Sequence, residues 1–370
     1  MAARRFLRYL AGVEKNGGEQ SYYTLSEPDL AQWLVAQELG PLAYARCRAS
    51  NQVLSAQLQE DSFAAAAENS LHFDSLDRIK RAFQAAGIPL VLLKGAALAH
   101  TVYEQPALRT MSDVDIWLRE QDMLDAVRLM SELGFQAAGK AARPPALQLL
   151  SGGEIRFYRR NWRQGLVELH RSPFPGWWLR RVATVDDGAV WSRREPLPAL
   201  GPLVYQLGPE DAVIQLSVHL AVNHQFGLAA VRSLLDIAFT VQKRPVNWMI
   251  VAERARQWRV GTATWTVLHL LHQLTGTADS EPALAYLRPS WLRQRWLRRF
   301  VAPESVLGGI NLRNSQARYL LLLALVDQPR DMLYLLWRTA WPEREWLDAR
   351  YQNQCGRGRH LWLLLRQGKT

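Results

Sequence analysis

The sequence predicts an α+β fold, in which a small mixed-sheet α/β core is flanked by N-terminal and C-terminal helical regions. Apolar residues recur at helical spacing over residues 27–83, give way to short apolar or alternating runs between 87 and 170, and return to helical spacing from Pro209. These changes set the boundaries of an N-terminal helical region, 1–86, an α/β core, 87–202, and a basic, Trp-rich C-terminal helical region, 203–370.

The composition is that of an ordinary globular protein. Hydrophobic residues make up 48% and charged residues 21% of the 370 residues, which argues against a disordered or fibrous chain. Cys47 and Cys355 lie far apart without metal-type spacing, so neither a disulfide framework nor a zinc knuckle is expected. A cytoplasmic location is predicted, and no membrane span, since charged residues and a proline interrupt the apolar stretch 319–341.

The formal net charge of +11 would attract nucleotides, nucleic acid or an anionic membrane surface. In residues 288–299 tryptophans alternate with arginines. We interpret this segment as a helix whose aromatic face packs while its arginines are solvated. A nucleic-acid or membrane patch is the alternative, so nucleic acid is not excluded as a partner.

The core begins where helical periodicity stops. A helix predicted over residues 71–86 ends at Gly87, and Pro89 disfavours its continuation. Residues 90–93 form a short apolar run typical of a buried strand, and the small residues 96–100 predict the helix that follows.

The next predicted strand, residues 111–118, carries the most informative pair. Asp113 and Asp115 alternate with Val114 and Ile116, so both carboxylates point to one side of the strand. Such a pair can hold one or two hard divalent cations, because unneutralised carboxylates side by side repel each other. The alternative is an exposed turn or a helix N-cap at Ser112-Asp113.

The remaining core elements are a helix over 121–133, strands over 154–159 and 166–170 with a turn at Gln164-Gly165, and a surface connection over 171–202. Helical periodicity from Pro209 then begins the C-terminal region. Glu168, inside the strand 166–170, is a third acidic residue that could lie beside the aspartates. It would complete a two-metal site and accept a proton, or it is simply salt-bridged.

The turn after the strand 90–93 is a second candidate element. Backbone N–H groups at Lys94-Gly95, with a helix behind them, can bind phosphate, and Lys94 adds a positive charge. The alternative is a plain strand-to-helix connection that needs glycine for its dihedral angles.

Together these elements resemble a known family. The segment from Gly87 through Phe135, with Lys94-Gly95, Arg109 and Asp113-Val-Asp115, followed by Glu168-Leu-His170 and by helical residues near 207–237, is similar to the uncharacterised bacterial nucleotidyltransferases of the DNA polymerase beta superfamily. This resemblance covers about residues 71–242.

The resemblance implies that Asp113, Asp115 and Glu168 bind Mg²⁺ or Mn²⁺ and act in catalysis, and that Gly95 and Ala96 form the triphosphate-binding turn. The chain departs from the family pattern at three places. Ala96 supplies a methyl group where a serine or glycine is usual. The interval between Gly95 and Asp113 is long, and Glu168 has a longer arm than the aspartate expected there.

Several further residues complete the predicted site. Arg109 and Ser112 are assigned to the nucleotide, Arg109 as a phosphate clamp or else in a surface salt bridge. The acceptor side is assigned to three histidines, His170, His219 and His224. His219 and His224 are five residues apart, which in an α-helix puts them on different faces, so a zinc site there is not expected. Asp236 is expected to pair with Arg232.

The leading hypothesis is a metal-dependent nucleotidyltransferase that moves a nucleoside monophosphate from a nucleoside triphosphate to a small-molecule or peptide acceptor and releases pyrophosphate. A glycosyltransferase that uses the same Asp-x-Asp pair for a nucleotide sugar is one alternative, although it would need a larger parallel sheet before the pair. A non-catalytic nucleotide or nucleic-acid binding module is the other.

Overall fold

A computed structural model describes residues 2–13, 28–50, 55–138, 153–159, 162–176, 178–227, 229–276, 279–309, 315–352 and 354–367. The helices up to the end of the sheet are α1 (Ala2–Leu10), α2 (Pro28–Ala36), α3 (Gly40–Ala49), α4 (Ala56–Ala85), α5 (Lys94–Thr101), α6 (Met123–Glu132), α7 (Leu179–Val182) and α8 (Asp187–Ser192). The later helices are α9 (Pro209–Val218), α10 (Ala230–Lys243), α11 (Trp248–Gln257), α12 (Gly261–Thr275), α13 (Glu281–Tyr286), α14 (Trp291–Leu297), α15 (Pro303–Leu307), α16 (Ser315–Ala324), α17 (Pro329–Ala340), α18 (Arg344–Tyr351) and α19 (Arg357–Gln367).

The strands form one mixed sheet. They are β1 (Leu90–Leu92), β2 (Asp113–Trp117), β3 (Phe135–Ala138), β4 (Glu154–Arg159), β5 (Trp162–His170), β6 (Glu195–Pro196) and β7 (Val204–Gln206). Their order across the sheet is β3-β4-β5-β2-β1-β7-β6. Strand β2 runs antiparallel to β1 and parallel to β5, which puts it at the centre. The predicted mixed-sheet core with helical flanks is therefore confirmed.

The two faces of the sheet are covered by different parts of the chain. Val114, Ile116, Val167 and Leu169 alternate onto one face, where they pack in a core with α4 and α6. The residues between them on β2 and β5 point to the opposite face. That opposite face is where the carboxylates lie, on the side of the large core formed by the C-terminal helices.

Several elements differ from the sequence prediction. Strand β5 runs from Trp162 to His170, so the turn predicted at Gln164-Gly165 falls inside it. The prediction missed β3, and it took the stretch that holds α7, α8 and β6 for a surface connection. These elements are two to six residues long, which is too short to show a clear period.

Contacts cross the predicted boundaries between the three regions. Strand β7 lies beyond residue 202 yet pairs with β1, so the sheet extends past the expected end of the core. Helix α4, assigned to the N-terminal region, packs on the sheet through Leu76, Ile79 and Phe83. Helix α1 contributes Phe6, Leu7 and Leu10 to the same core as the C-terminal helices.

Within the described ranges, none of the helices combines the length and the apolar character that crossing a membrane requires. Both cysteines are free and buried.

Candidate active site

The pairing of β2 with β5 brings the predicted carboxylates together. Asp115 is the direct partner of Glu168, and Trp117 is the partner of His170. Directly paired residues point to the same face of a sheet, so Asp113, Asp115 and Glu168 share one face. The sequence hypothesis that Glu168 lies beside the aspartates thus matches the strand register.

The tightest group of potential ligands differs from the predicted set. Ligand atoms of Asp115, Glu168 and His170 all lie within 4.8 Å of one another, and all three residues are buried. The Nε2 atom of His170 is 2.7 Å from Oδ1 of Asp115. Asp113 lies two residues before Asp115 on the same face, outside this group. The sequence had placed His170 on the acceptor side, but the structure places it among the carboxylates.

Lys94 lies directly against this group. Its Nζ donates to Oδ1 of Asp115 at 2.8 Å, and the two side chains are 11% and 3% exposed. Lys94 has a positive φ of 47°, a left-handed conformation that a non-glycine residue adopts at a cost of ~1–3 kcal/mol. The structure thus holds a strained backbone at the residue whose ammonium group meets the carboxylates.

The charges of the group shift the pKa values in opposite directions. Burial and the repulsion of Asp115 raise the pKa of Asp113 to about 7. Burial alone would raise the pKa of Asp115 too, but Lys94 and the hydrogen bond with His170 hold it well below its ordinary value. Burial opposes the charge on Lys94, yet the three carboxylates outweigh it and raise its pKa. The cluster therefore favours a neighbouring positive charge.

Arg156 is a site residue that the sequence analysis missed. It is the partner of Glu168 across β4 and β5, and its guanidinium forms an ion pair with the Glu168 carboxylate. The signal was present, because Glu154 and Arg156 alternate with apolar residues along β4 and so share the face of Glu168. The sequence did not show that β4 lies beside β5, and only this pairing places the alternating charged residues of β4 next to Glu168.

The donor set fits a hard divalent cation. Carboxylate oxygens are the ligands that Mg²⁺ and Mn²⁺ prefer, and an imidazole nitrogen suits Mn²⁺ or a similar metal. Asp113 provides a further carboxylate on the same face. Nε2 of His170 faces a carboxylate oxygen of Asp115 and therefore carries a proton in this arrangement, whereas its Nδ1 is buried and without a hydrogen-bond partner in the described part of the chain.

Of the five residues predicted to bind the nucleotide, four line a pocket beside the carboxylates and one, Ala96, does not. Lys94, Gly95, Arg109 and Ser112 line it, and the Ser112 hydroxyl donates to Asp113 at 3.3 Å. A side chain at Gly95 would bring its Cβ within 3.0 Å of the Met111 side chain, so glycine fits closely there. The side chain of Ala96 is only 1% exposed and packs in the core on the other face of the sheet.

Arg109 has a different partner from the ones expected. Its Nε and Nη2 donate to the two carboxylate oxygens of Asp236 at 2.8 and 2.7 Å, and Tyr103 donates to the same carboxylate at 2.8 Å. Asp236 therefore pairs with Arg109, and the expected pair with Arg232 is wrong. Because the buried guanidinium of Arg109 already donates two hydrogen bonds to Asp236, a phosphate would have to displace Asp236 to bind the same two N–H groups.

His219 and His224 lie together despite their spacing. After α9 the chain forms a π-turn, His219–Asn223, in which the N–H of His224 donates to the carbonyl of His219 at 3.0 Å. This i→i+5 hydrogen bond brings residues five apart close together, and the two rings meet with centroids 4.3 Å apart. The expectation that they occupy different faces assumed an α-helix and is wrong. Burial, reinforced by Lys94 and His224, lowers the pKa of His219 well below its ordinary value.

These residues surround a pocket of about 400 Å³. That volume is within the ~300–1,000 Å³ range of small-molecule sites. The sheet supplies Asp113, Asp115, Glu168 and Arg156, and the helical side supplies His219, His224 and further residues. Trp178 lines it as well, whereas the neighbouring Trp177 lies outside the described residues.

The greater part of the chain matches the model of a known protein family. A family model described as "Uncharacterised nucleotidyltransferase" matches residues 25–276. These residues contain every sheet strand and every histidine of the pocket, and they end just after α12. No curated protein matches the chain.

Proposed function

Since the chain belongs to the uncharacterised nucleotidyltransferase family, we propose that it is a metal-dependent enzyme that transfers a nucleoside monophosphate from a nucleoside triphosphate to an acceptor. The observation that carries this proposal is the pairing of Asp115 with Glu168 at the centre of the sheet, inside the pocket. Lys94 and Arg156 compensate two of the three carboxylates on this face, and a bound cation would stabilise the remaining buried charge.

The proposed reaction forms one P–O bond and breaks another. An oxygen of the acceptor attacks the α-phosphorus, the bond to the β-phosphate oxygen breaks, and pyrophosphate leaves. The proton of the attacking hydroxyl passes to Glu168. A divalent cation held by Asp115, Glu168 and Asp113, with His170 as an additional ligand, would neutralise the charge that develops on the phosphoryl group.

The remaining side chains hold this arrangement in place. Lys94 fixes the position of Asp115, and Arg156 fixes that of Glu168. The first turn of α5, from Gly95, offers backbone N–H groups to the triphosphate. In this proposal Arg109 positions the segment before β2 through Asp236 instead of clamping phosphate.

Neither alternative has an observation in its favour. The glycosyltransferase hypothesis required a larger parallel sheet ahead of the acidic pair, but the described residues before Gly87 form helices. The hypothesis of a lapsed binding module is weakened because four charged or titratable groups still meet at one point, Lys94, Asp115, Glu168 and His170.

Turnover of nucleotides tests the proposed function. We expect the purified chain with Mg²⁺ or Mn²⁺ to release pyrophosphate from one of the four ribonucleoside triphosphates in the presence of an acceptor mixture, and to leave nucleotide sugars intact. Asp115→Asn removes one charge without changing the size of the side chain, and should reduce this turnover by at least about a hundredfold.

The control is Asp125→Asn, since Asp125 is 65% exposed on α6, away from the pocket. Consumption of nucleotide sugars in place of triphosphates would overturn the proposal. So would a fully active Asp115→Asn variant.

A further inference from the structure

The basic side chains of the pocket differ in what they contact. Five of them line it, Lys94, Arg109, Arg156, Arg232 and Arg318. Four form ion pairs with carboxylates, which are those of Asp115, Asp236, Glu168 and Glu38, respectively. Arg318 has no carboxylate partner within the part of the chain that the structure describes. Its charge is therefore available to a ligand.

Arg318 is exposed, and its one described hydrogen bond holds it beside the pocket. Its Nε donates to the side-chain carbonyl of Gln225 at 2.5 Å. Gln225 is 7% exposed and has a left-handed backbone with φ of 51°, and the next residue, Phe226, has φ of 55° and is fully buried. Strain of this kind persists only where the surrounding structure imposes it, so Gln225 is a rigid anchor. The two terminal nitrogens of Arg318 have no protein acceptor among the described residues.

An apolar surface adjoins this cation. Leu322 lies one turn after Arg318 on α16, on the same face of the helix, and also lines the pocket. Trp178, Leu216 and Val222 line it too. Trp178 is 4% exposed, and its indole N–H is buried and has no hydrogen-bond partner in the described ranges.

We propose that Arg318 and Gln225 form an acceptor subsite, which binds a carboxylate or phosphate group of an acceptor whose apolar part packs against Leu322 and Trp178. This inference rests on the proposed nucleotidyl transfer, and it names the class of acceptor: a hydroxylated molecule with an anionic group beside an apolar one. The subsite lies on the helical side with His219 and His224, whereas the nucleotide is assigned to the sheet side.

The position of Arg318 in the chain is part of the inference. It lies outside residues 25–276, the part that the family model matches. Helix α16 thus adds a charged contact to a pocket whose carboxylates all lie within the matched residues. The C-terminal region therefore takes part in acceptor selection.

Binding of small probes to the full-length chain tests the proposal. The probes are mandelate, phenyl phosphate and the neutral amide mandelamide, titrated by calorimetry with Mg²⁺ and a non-hydrolysable ATP analogue present. We expect one of the two anions to bind the wild-type chain at least about tenfold more tightly than mandelamide. Whichever anion binds better identifies the group as a carboxylate or a phosphate.

Variants at Arg318 assign the binding to this residue. Arg318→Gln should weaken the anion by about tenfold or more and leave the affinity for the ATP analogue unchanged, and Arg318→Lys should restore part of the loss. The matched control is Arg344→Gln, which removes the same charge from a residue that is 90% exposed and far from the pocket lining.

Four outcomes overturn the subsite: neither anion binds the wild type, mandelamide binds equally well, Arg318→Gln leaves the affinity for the anion unchanged, or it weakens the ATP analogue as much as the anion. Failure of the proposed function is distinguishable from these. In that case the ATP analogue does not bind the wild-type chain, while the anion still binds in a manner that depends on Arg318.

Discussion

At the scale of single residues, charge balance controls the site. Asp115 is paired with Lys94, hydrogen-bonded to His170 and next to Glu168, so its removal or that of a partner leaves buried charge uncompensated. The residue types of this group were recognisable in the sequence. Their partners were not, because Lys94 and His170 lie 21 and 55 positions away from Asp115.

Lys94→Met provides the first residue-scale prediction. The substitution keeps the length of the side chain and removes its charge, so we expect the free energy of unfolding without metal to fall by about 3–5 kcal/mol. Mg²⁺ should recover part of this loss, because a bound cation replaces the missing charge. Thermal and urea unfolding with Mg²⁺ or with a chelator measures the effect.

Lys80→Met is the matched control for that prediction. Lys80 is 13% exposed and pairs with Asp77, but it does not line the pocket. Its stability should respond to Mg²⁺ as the wild type does. The charge-balance account fails if Lys94→Met responds no more strongly to Mg²⁺ than Lys80→Met.

A second residue-scale prediction concerns pH. Burial, and then the charge of Asp186, raise the pKa of Asp187 to about 6, although the hydroxyl of Ser172 opposes the shift. The folded state therefore binds more protons than the unfolded state between about pH 4 and 6, so this group makes stability decrease as pH rises through that window. Above pH 6 the loss is complete.

Asp187→Asn removes the titration and keeps a group that can accept from Ser172. We expect the variant to gain stability relative to the wild type as pH rises from about 4 to 6, measured by urea unfolding at several pH values. Asp125→Asn, at an exposed position, should show no such gain. Parallel pH profiles for the wild type and Asp187→Asn would contradict the assignment.

At the scale of elements, residues distant in the sequence complete local structures. Helix α12 has no side-chain cap from its own N-terminal residue, and Asp327 accepts from the N–H groups of Gly261 and Thr262 at 2.8 and 2.7 Å instead. The π-turn after α9 is a second local feature that periodicity does not show, because only its i→i+5 hydrogen bond brings His219 and His224 together. Sequence periodicity predicts a helix in such places but not its cap or its local winding.

Asp327→Ala is the prediction at this scale. Loss of the distant cap should lower the free energy of unfolding by about 1–2 kcal/mol, because two N–H groups at the start of α12 lose their acceptor. Asp348→Ala, on α18 and partly exposed, should change it by less than about 0.5 kcal/mol. Equal effects of the two substitutions in urea unfolding would show that the cap is unimportant.

At the scale of the whole molecule, the order of the strands assembles the site. The sequence predicted the fold class, β1, β2, α5 and the acidic residues, because each has a strong local pattern. It did not predict β7, the ion pair of Arg156 with Glu168, or the ion pair of Arg109 with Asp236. These features depend on which segments of the chain become neighbours in the fold. The functional hypothesis needed the local patterns and the family resemblance that they carry, whereas the acceptor side needed the assembled molecule.

The most direct test of the central claim is the binding of a nucleoside triphosphate at the carboxylates, measured by calorimetry with a non-hydrolysable analogue. We predict that the wild-type chain binds the analogue only with Mg²⁺ or Mn²⁺. Asp115→Asn, assayed at a temperature at which circular dichroism shows that it is still folded, should lose this metal-dependent binding by at least about tenfold. Equal binding by the wild type and Asp115→Asn, or binding that a chelator does not change, would contradict the account.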